Sequence, residues 1–133
     1  MPHRNWRFKT SKYSVRKKLI LANDSLFRQI IRARDKVCQI SGRNTNLQVC
    51  HYWTRSNMKV RWTEENAVLL NGGIHIFWAH KNPDKFKEWF VKRLGQKKFD
   101  ELELKARYVA PVKELDLLLI NHLLKNKLQK EAL

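Results

Sequence analysis

Acidic residues are scarce in this chain. Twelve Asp and Glu stand against 28 Lys and Arg, a formal charge of +16 over 133 residues. Self-repulsion of that size opposes a compact state, which points to a polyanionic partner: nucleic acid first, an anionic membrane surface second. Cysteine is scarce too. Cys38 and Cys50 are the two present, too few for a disulfide framework, which fits a reducing, cytoplasmic setting. No run approaches the roughly 18 apolar residues that a membrane-spanning helix needs, so no membrane insertion is expected. Met1-Pro2-His3-Arg4-Asn5-Trp6 has no apolar stretch behind its charges, unlike a secretory signal. Three prolines and four glycines leave little material for flexible linkers, and no repeat or low-complexity tract occurs. What is present is a 43% hydrophobic share, enough for one modest core and too much for a disordered chain.

Residues 1–18 form a basic arm with interleaved aromatics. Arg4, Arg7, Lys9, Lys12, Arg16, Lys17 and Lys18 are candidate phosphate contacts, and Trp6 and Tyr13 candidates for stacking on unpaired bases. A solvated tail is the plainer reading of the same residues. A helix is expected over about 24–36, capped by Asp24 or Ser25, with Leu26, Phe27, Ile30, Ile31 and Ala33 inward and Arg28, Arg32 and Arg34 solvated. Ser41-Gly42-Arg43-Asn44 is turn chemistry. Leu47 to Trp53 is rich in strand formers, and Ala67-Val68-Leu69-Leu70 is a second strand candidate, broken by Asn71-Gly72-Gly73. A helical turn or two follows over Ile74 to Ala79. Asn82-Pro83-Asp84 opens a helix that Gly95 stops. Further helices are expected over about 97–107 and 112–128, the last with Leu115, Leu118, Leu119, His122 and Leu123 along one side. The fold class is therefore α+β, mostly helical.

The chemistry lies between Cys50 and His75. His51 ends the first strand, Asn66 opens the second fifteen residues on, and His75 sits on the short helix nine residues later. Strand, loop, strand and helix carrying His, Asn and His in that order resemble the HNH, or ββα-metal, nuclease finger. The likeness extends further. Arg16-Lys-Lys-Leu19, Ser25-Leu-Phe-Arg-Gln-Ile-Ile-Arg-Ala-Arg-Asp35, Cys38-Gln-Ile-Ser-Gly42, Cys50-His-Tyr-Trp-Thr-Arg55, Arg61-Trp-Thr-Glu-Glu-Asn66 and Asn82-Pro83 together resemble the bacteriophage recombination proteins of the lambda NinG, or Rap, family over about residues 16–105.

That resemblance implies a finger at about 37–81 enclosed by helices, the C-terminal ones over about 82–130, in a single nuclease domain of residues 19–133. It implies a metal-dependent DNA endonuclease acting on branched or junction DNA, in the host cytoplasm if phage-encoded. His51 would be the general base, and Asn66 would hold the loop that positions it. His75 would bind one Mg²⁺ or Mn²⁺, with His80 or Asn82 as second ligand. His75 and His80 lie five apart, an imperfect match for one α-helical face. Arg55 and Arg61 are candidate phosphate clamps, Arg55 closest to the catalytic His, and Lys59 lies between them. Trp53, Trp62, Trp78 and Trp89 are expected in the core.

The departures from the family pattern are equally informative. Its two cysteine pairs correspond here to Cys38 with Ser41 and Asn71 with Ile74, so one thiol of four remains and a structural zinc loses its ligand set. Packing of Ile74 against Val37 and Ile40 would have to replace it, and Cys50 reads as a small buried hydrophobe. The same losses leave open a DNA-binding or packaging accessory that kept the finger without catalysis. The last helices could pack on the finger or pair two subunits, so monomer and homodimer are both open.

Overall fold

The computed structural model describes residues 13–131. The chain is α+β and mostly helical: α1 (Val15–Asp35), β1 (Leu47–His51), β2 (Ala67–Asn71), α2 (Gly72–Ile74), a π-helical turn (His75–His80), α3 (Pro83–Leu94), α4 (Gln96–Ala106) and α5 (Glu114–Glu131). No helix among the described residues is long and apolar enough to cross a membrane.

Helix α1 begins nine residues before the expected start. Ser14 caps it, its Oγ accepting from the Lys17 amide at 3.2 Å. The basic arm therefore does not run to residue 18, because Val15–Lys18 form the first helical turn. Arg16 is spent within the fold, donating to the Val112 carbonyl at 3.0 Å. Lys17 and Lys18 are exposed on that turn. Arg4, Arg7, Lys9 and Lys12 lie outside the described residues, as does Trp6.

The two strands pair antiparallel, with Leu47 opposite Asn71 and His51 opposite Ala67. Strand side chains alternate between faces, and here each face meets a separate core. Ala67 and Leu69 join Phe27, Ile30, Ile31, Trp62, Leu117 and Leu124 on the side of α1 and α5. Val68 and Leu70 join Cys38, Cys50, Val60, Phe86, Phe90, Phe99 and Leu102 on the side of α3 and α4. Every residue of β2 is buried in consequence. The second core is aromatic: Tyr52 stacks on Phe90 with ring centroids 4.8 Å apart and meets Phe99 edge-on at 5.4 Å. Cys38 and Cys50 are both buried and free, and burial pushes the Cys50 thiol up to about 12.

Helix α5 packs along α1 with the opposite face to the one expected. Leu117 and Leu124 are buried, whereas Leu115, Leu118, Leu119, His122 and Leu123 face outward. Leucines surround most of this helix, so hydrophobicity alone does not choose its inner side. Polar contacts choose it: buried Asn23 donates to the Leu117 carbonyl at 3.1 Å and accepts from Asn121 at 2.9 Å.

The turn bearing Cys38 and Ser41 is also held differently from expectation. Ile40 is exposed, whereas Ile74 packs against the Cys38 cluster. Asn71 does much of the joining: its Nδ2 donates to the Thr45 carbonyl at 2.8 Å and its Oδ1 accepts from the Gly73 amide at 3.0 Å. Gly72 leaves room beside it for two side-chain amides, because a Cβ there would lie 2.5 Å from Asn46 Nδ2 and 3.0 Å from Gln48 Nε2.

Candidate functional site

A half-open cleft of about 490 Å³ lies where the end of β1 meets α1 and the π-helical turn. Its wall includes His51, Thr54 and Arg55 from the end of β1 and its following loop, and Asp24, Arg28 and Arg32 from α1. Gln48, His75 and His80 complete the polar lining.

His51 is fixed by its position on β1. Its ring lies 5.7 Å from that of Phe27, and its Nε2 is 2.9 Å from the Arg61 carbonyl oxygen. A carbonyl only accepts, so Nε2 carries the proton and Nδ1 keeps the lone pair. Burial holds the imidazole below its ordinary value of 6.5; the Arg61 carbonyl pulls the other way, and the Arg55 charge adds to the lowering. At neutral pH the ring is therefore an uncharged base.

The Arg61 carbonyl that orients His51 is itself held. The Arg61 guanidinium makes a forked ion pair with Asp24, Nε to Oδ1 at 3.0 Å and Nη2 to Oδ2 at 2.7 Å, and Trp62 Nε1 donates to the same carboxylate at 2.9 Å. Burial would raise the Asp24 carboxyl, but the Arg61 and Trp62 bonds hold it below the ordinary carboxylate value. The Arg61 guanidinium, expected as a phosphate clamp, is thus bonded to Asp24 and to the Arg55 carbonyl and does not line the cleft. Asp24, expected as a possible helix cap, lies mid-helix and serves this pair instead.

Asn66 is fully buried at the entrance to β2. Its Oδ1 accepts from the Trp53 amide at 2.8 Å, and its Nδ2 donates to the carbonyls of Trp53 at 2.9 Å and Val60 at 3.1 Å. One side chain thus ties both ends of the loop that carries Arg55 and Arg61.

His75 and His80 lie together, ring centroids 4.7 Å apart. The five-residue interval, awkward on an α-helix, suits the wider π-helical turn that this segment adopts. His75 Nδ1 is 3.0 Å from Gln48 Oε1. An amide oxygen only accepts, so Nδ1 is the protonated nitrogen and Nε2 keeps its lone pair. Burial, and then His80, lower the His75 value. The two imidazoles are one candidate donor pair for a divalent cation. Among the described residues no group of three or more His, Cys, Asp or Glu comes together to hold a metal.

The remaining candidates separate clearly. Arg55 is exposed, lines the cleft and makes no hydrogen bond or ion pair from its guanidinium to another described residue. Lys59 does not line this cleft; it borders shallow pockets near Val112 and Ile120. Asn82 is exposed at the start of α3 and is not part of the cleft wall. Sequence reasoning passed over Arg28 and Arg32, which stand one helical turn apart and both reach the cleft. Their signal was an i, i+4 pair on the helix preceding the finger, indistinguishable in sequence from a solvated face. No family model, curated protein or solved structure matches this chain, so the cleft is read from its own residues.

Proposed function

We propose that the protein is a metal-dependent endonuclease of the HNH, ββα-metal type that hydrolyses phosphodiester bonds in DNA. The observation that carries this reading is one cleft wall holding a neutral histidine of fixed tautomer, His51, together with a histidine pair, His75 and His80, and an unspent guanidinium, Arg55. β1, the loop tied by Asn66, β2 and the segment Gly72–His80 supply the strand–strand–helix frame.

The donor chemistry fits a divalent ion, which the His75 and His80 imidazoles would hold. Of the two ions expected, nitrogen donors favour Mn²⁺ over the harder Mg²⁺. When bound, such an ion supplies positive charge against the scissile phosphate and the departing oxygen. His51 Nδ1 takes a proton from water while Nε2–H stays on the Arg61 carbonyl. The hydroxide forms the new P–O bond, the bond from phosphorus to the 3′ oxygen breaks, and that oxygen leaves with a proton from solvent. Arg55 pairs with a non-bridging phosphate oxygen. Branched or junction DNA is the substrate class that the family resemblance supplies.

The alternative is a DNA-binding accessory built on the same frame without catalysis. It is favoured by the sparse donor set: Asp24, the one carboxylate in the cleft wall, is already bonded to Arg61 and Trp62.

Cleavage of labelled linear, flapped and four-way-junction DNA with Mg²⁺, Mn²⁺ or EDTA decides between them. The expected result is metal-dependent cutting that His51→Ala reduces by about 10²–10⁴-fold at matched DNA binding. Tight binding with no cutting under either metal overturns the nuclease and leaves the accessory.

A further inference from the structure

The cleft collects more positive than negative charge among the described residues. Arg28, Arg32 and Arg55 all line it. Neither Arg28 nor Arg55 makes a hydrogen bond or ion pair from its guanidinium to another described residue, and Arg32 gives one Nη2 bond to the Leu47 carbonyl at 3.2 Å. Asp24, the carboxylate in the wall, is committed to Arg61 and Trp62. Three guanidinium groups in a concavity whose carboxylate is already bonded to Arg61 and Trp62 create a net positive field that an anion from outside relieves.

The arginines fall into two places. Arg55 stands on the loop after β1, beside His51 on the chain. Arg28 and Arg32 stand on α1, separated by one turn and about 6 Å of rise. Cations at two places on one wall suit more than one phosphate. A strand with successive phosphates reaches both.

We propose that Arg28 and Arg32 form a second phosphate subsite, which holds the backbone phosphate next to the one that meets Arg55, His75 and His80. The ligand class is then a nucleic-acid strand with at least two adjacent phosphates. This rests on the reading above that a phosphodiester enters the cleft, but not on its being cut there. It also assigns α1 a role in tracking the backbone in addition to its role in the core.

The test is the salt dependence of binding, measured in EDTA with a short labelled single-stranded DNA so that no cleavage intervenes. Arg28→Gln is the principal variant, because the Arg28 guanidinium has no bond to another described residue to lose. Each phosphate neutralised contributes about 0.7 to the slope of log affinity against log salt for a single strand. The slope is expected to shrink by about that amount in Arg28→Gln and again when Arg32→Gln is added, with several-fold weaker binding at low salt. Lys125→Gln on α5, outside the cleft, serves as the charge-matched control and is expected to leave the slope near wild type. An unchanged slope in Arg28→Gln, with a reduced slope in Arg55→Gln, overturns the subsite and leaves the single-phosphate reading standing. Equal changes in Lys125→Gln and all three arginine variants overturn both, because binding would then follow net charge and not the cleft.

Discussion

The buried polar frame of the fold and the wall of the cleft are built by opposite rules. In the frame the buried amide and carboxylate are answered, and among the described residues the one buried side-chain polar atom without a hydrogen bond is Trp53 Nε1. Asn66 makes three hydrogen bonds at 0% exposure. Buried Asp35, at the end of α1, takes both Nε and Nη2 of Arg34, Nη2 of Arg93 and the Leu69 amide. Burial would raise the Asp35 carboxyl, but those bonds and charges hold it below the ordinary carboxylate value. On the cleft wall, the Arg28 and Arg55 guanidinium groups make no hydrogen bond or ion pair to another described residue. Arg55 and Arg61 make the contrast sharp: the same residue type, six positions apart, one forked onto Asp24 and the other open to the cleft. Arg61 meets a carboxylate brought to it by α1, whereas the Arg55 guanidinium faces the cleft.

The strongest break in this contrast is to damage the buried frame. Asn66→Ala strips partners from one buried amide and two carbonyls, and is expected to cost on the order of 3 kcal/mol, seen as a lower denaturation midpoint. Loss below about 1 kcal/mol would mean that the loop rearranges without Asn66. Next comes the paired substitution of the two arginines. Arg61→Ala leaves the half-buried Asp24 carboxylate without its fork and should cost about 1–3 kcal/mol, with Arg55→Ala within about 0.5 kcal/mol of wild type. DNA binding should rank the two in reverse once the comparison is made well below the melting temperature.

A pH titration sharpens the contrast within one molecule. His51 and His75 are both held below the ordinary 6.5 in the folded state. The unfolded chain therefore binds their protons more readily, so their neutral burial costs nothing above that pH and stability falls as the pH drops below about 6.5. His51→Gln and His75→Gln should each flatten the fall, read by urea midpoints at successive pH values. Asp24 and Asp35, held low, add stability above the ordinary 3.8 that is lost on further acidification. The smallest effect is expected at Gly72. Gly72→Ala must displace Asn46 or Gln48, and through Gln48 it loosens the bond that sets the His75 tautomer. The readout is a shift of the His75 ring signals by NMR with a melting loss of about 1 kcal/mol.

Local signals in the sequence marked several elements well. Asn82-Pro83 and Gly95 bracket α3 as read, and the apolar run from Ala67 emerges as β2. The early part of α1 was hidden, because Asp24 resembles a cap as well as Ser14 does, and only the positions of Arg61 and Trp62, 37 and 38 residues away, show what its carboxylate serves. The His75–His80 pairing was hidden by the assumption of α-helical periodicity. Among the site candidates, sequence placed His51, Arg55, His75 and His80, which meet at one cleft, beside Lys59, Arg61 and Asn82, which do other things. Charge composition cannot separate Arg28 from Arg61. Each is one basic residue among 28, and what distinguishes them is whether a carboxylate from elsewhere in the chain arrives beside them.

The burial of β2 on both faces also governs which parts of the molecule can open independently. Val68 and Leu70 belong to one core, Ala67 and Leu69 to the other, so neither core separates from the hairpin without exposing apolar surface of a strand that the other core still grips. Backbone amides of Val68, Leu69 and Leu70 should exchange with solvent deuterium only at the rate of whole-chain unfolding, whereas amides of the Thr54–Lys59 loop exchange through smaller openings. Any adjustment of the cleft to a bound strand then belongs to that loop and to the His75–His80 turn, with the strand beneath them moving as part of the fold's last unit to open.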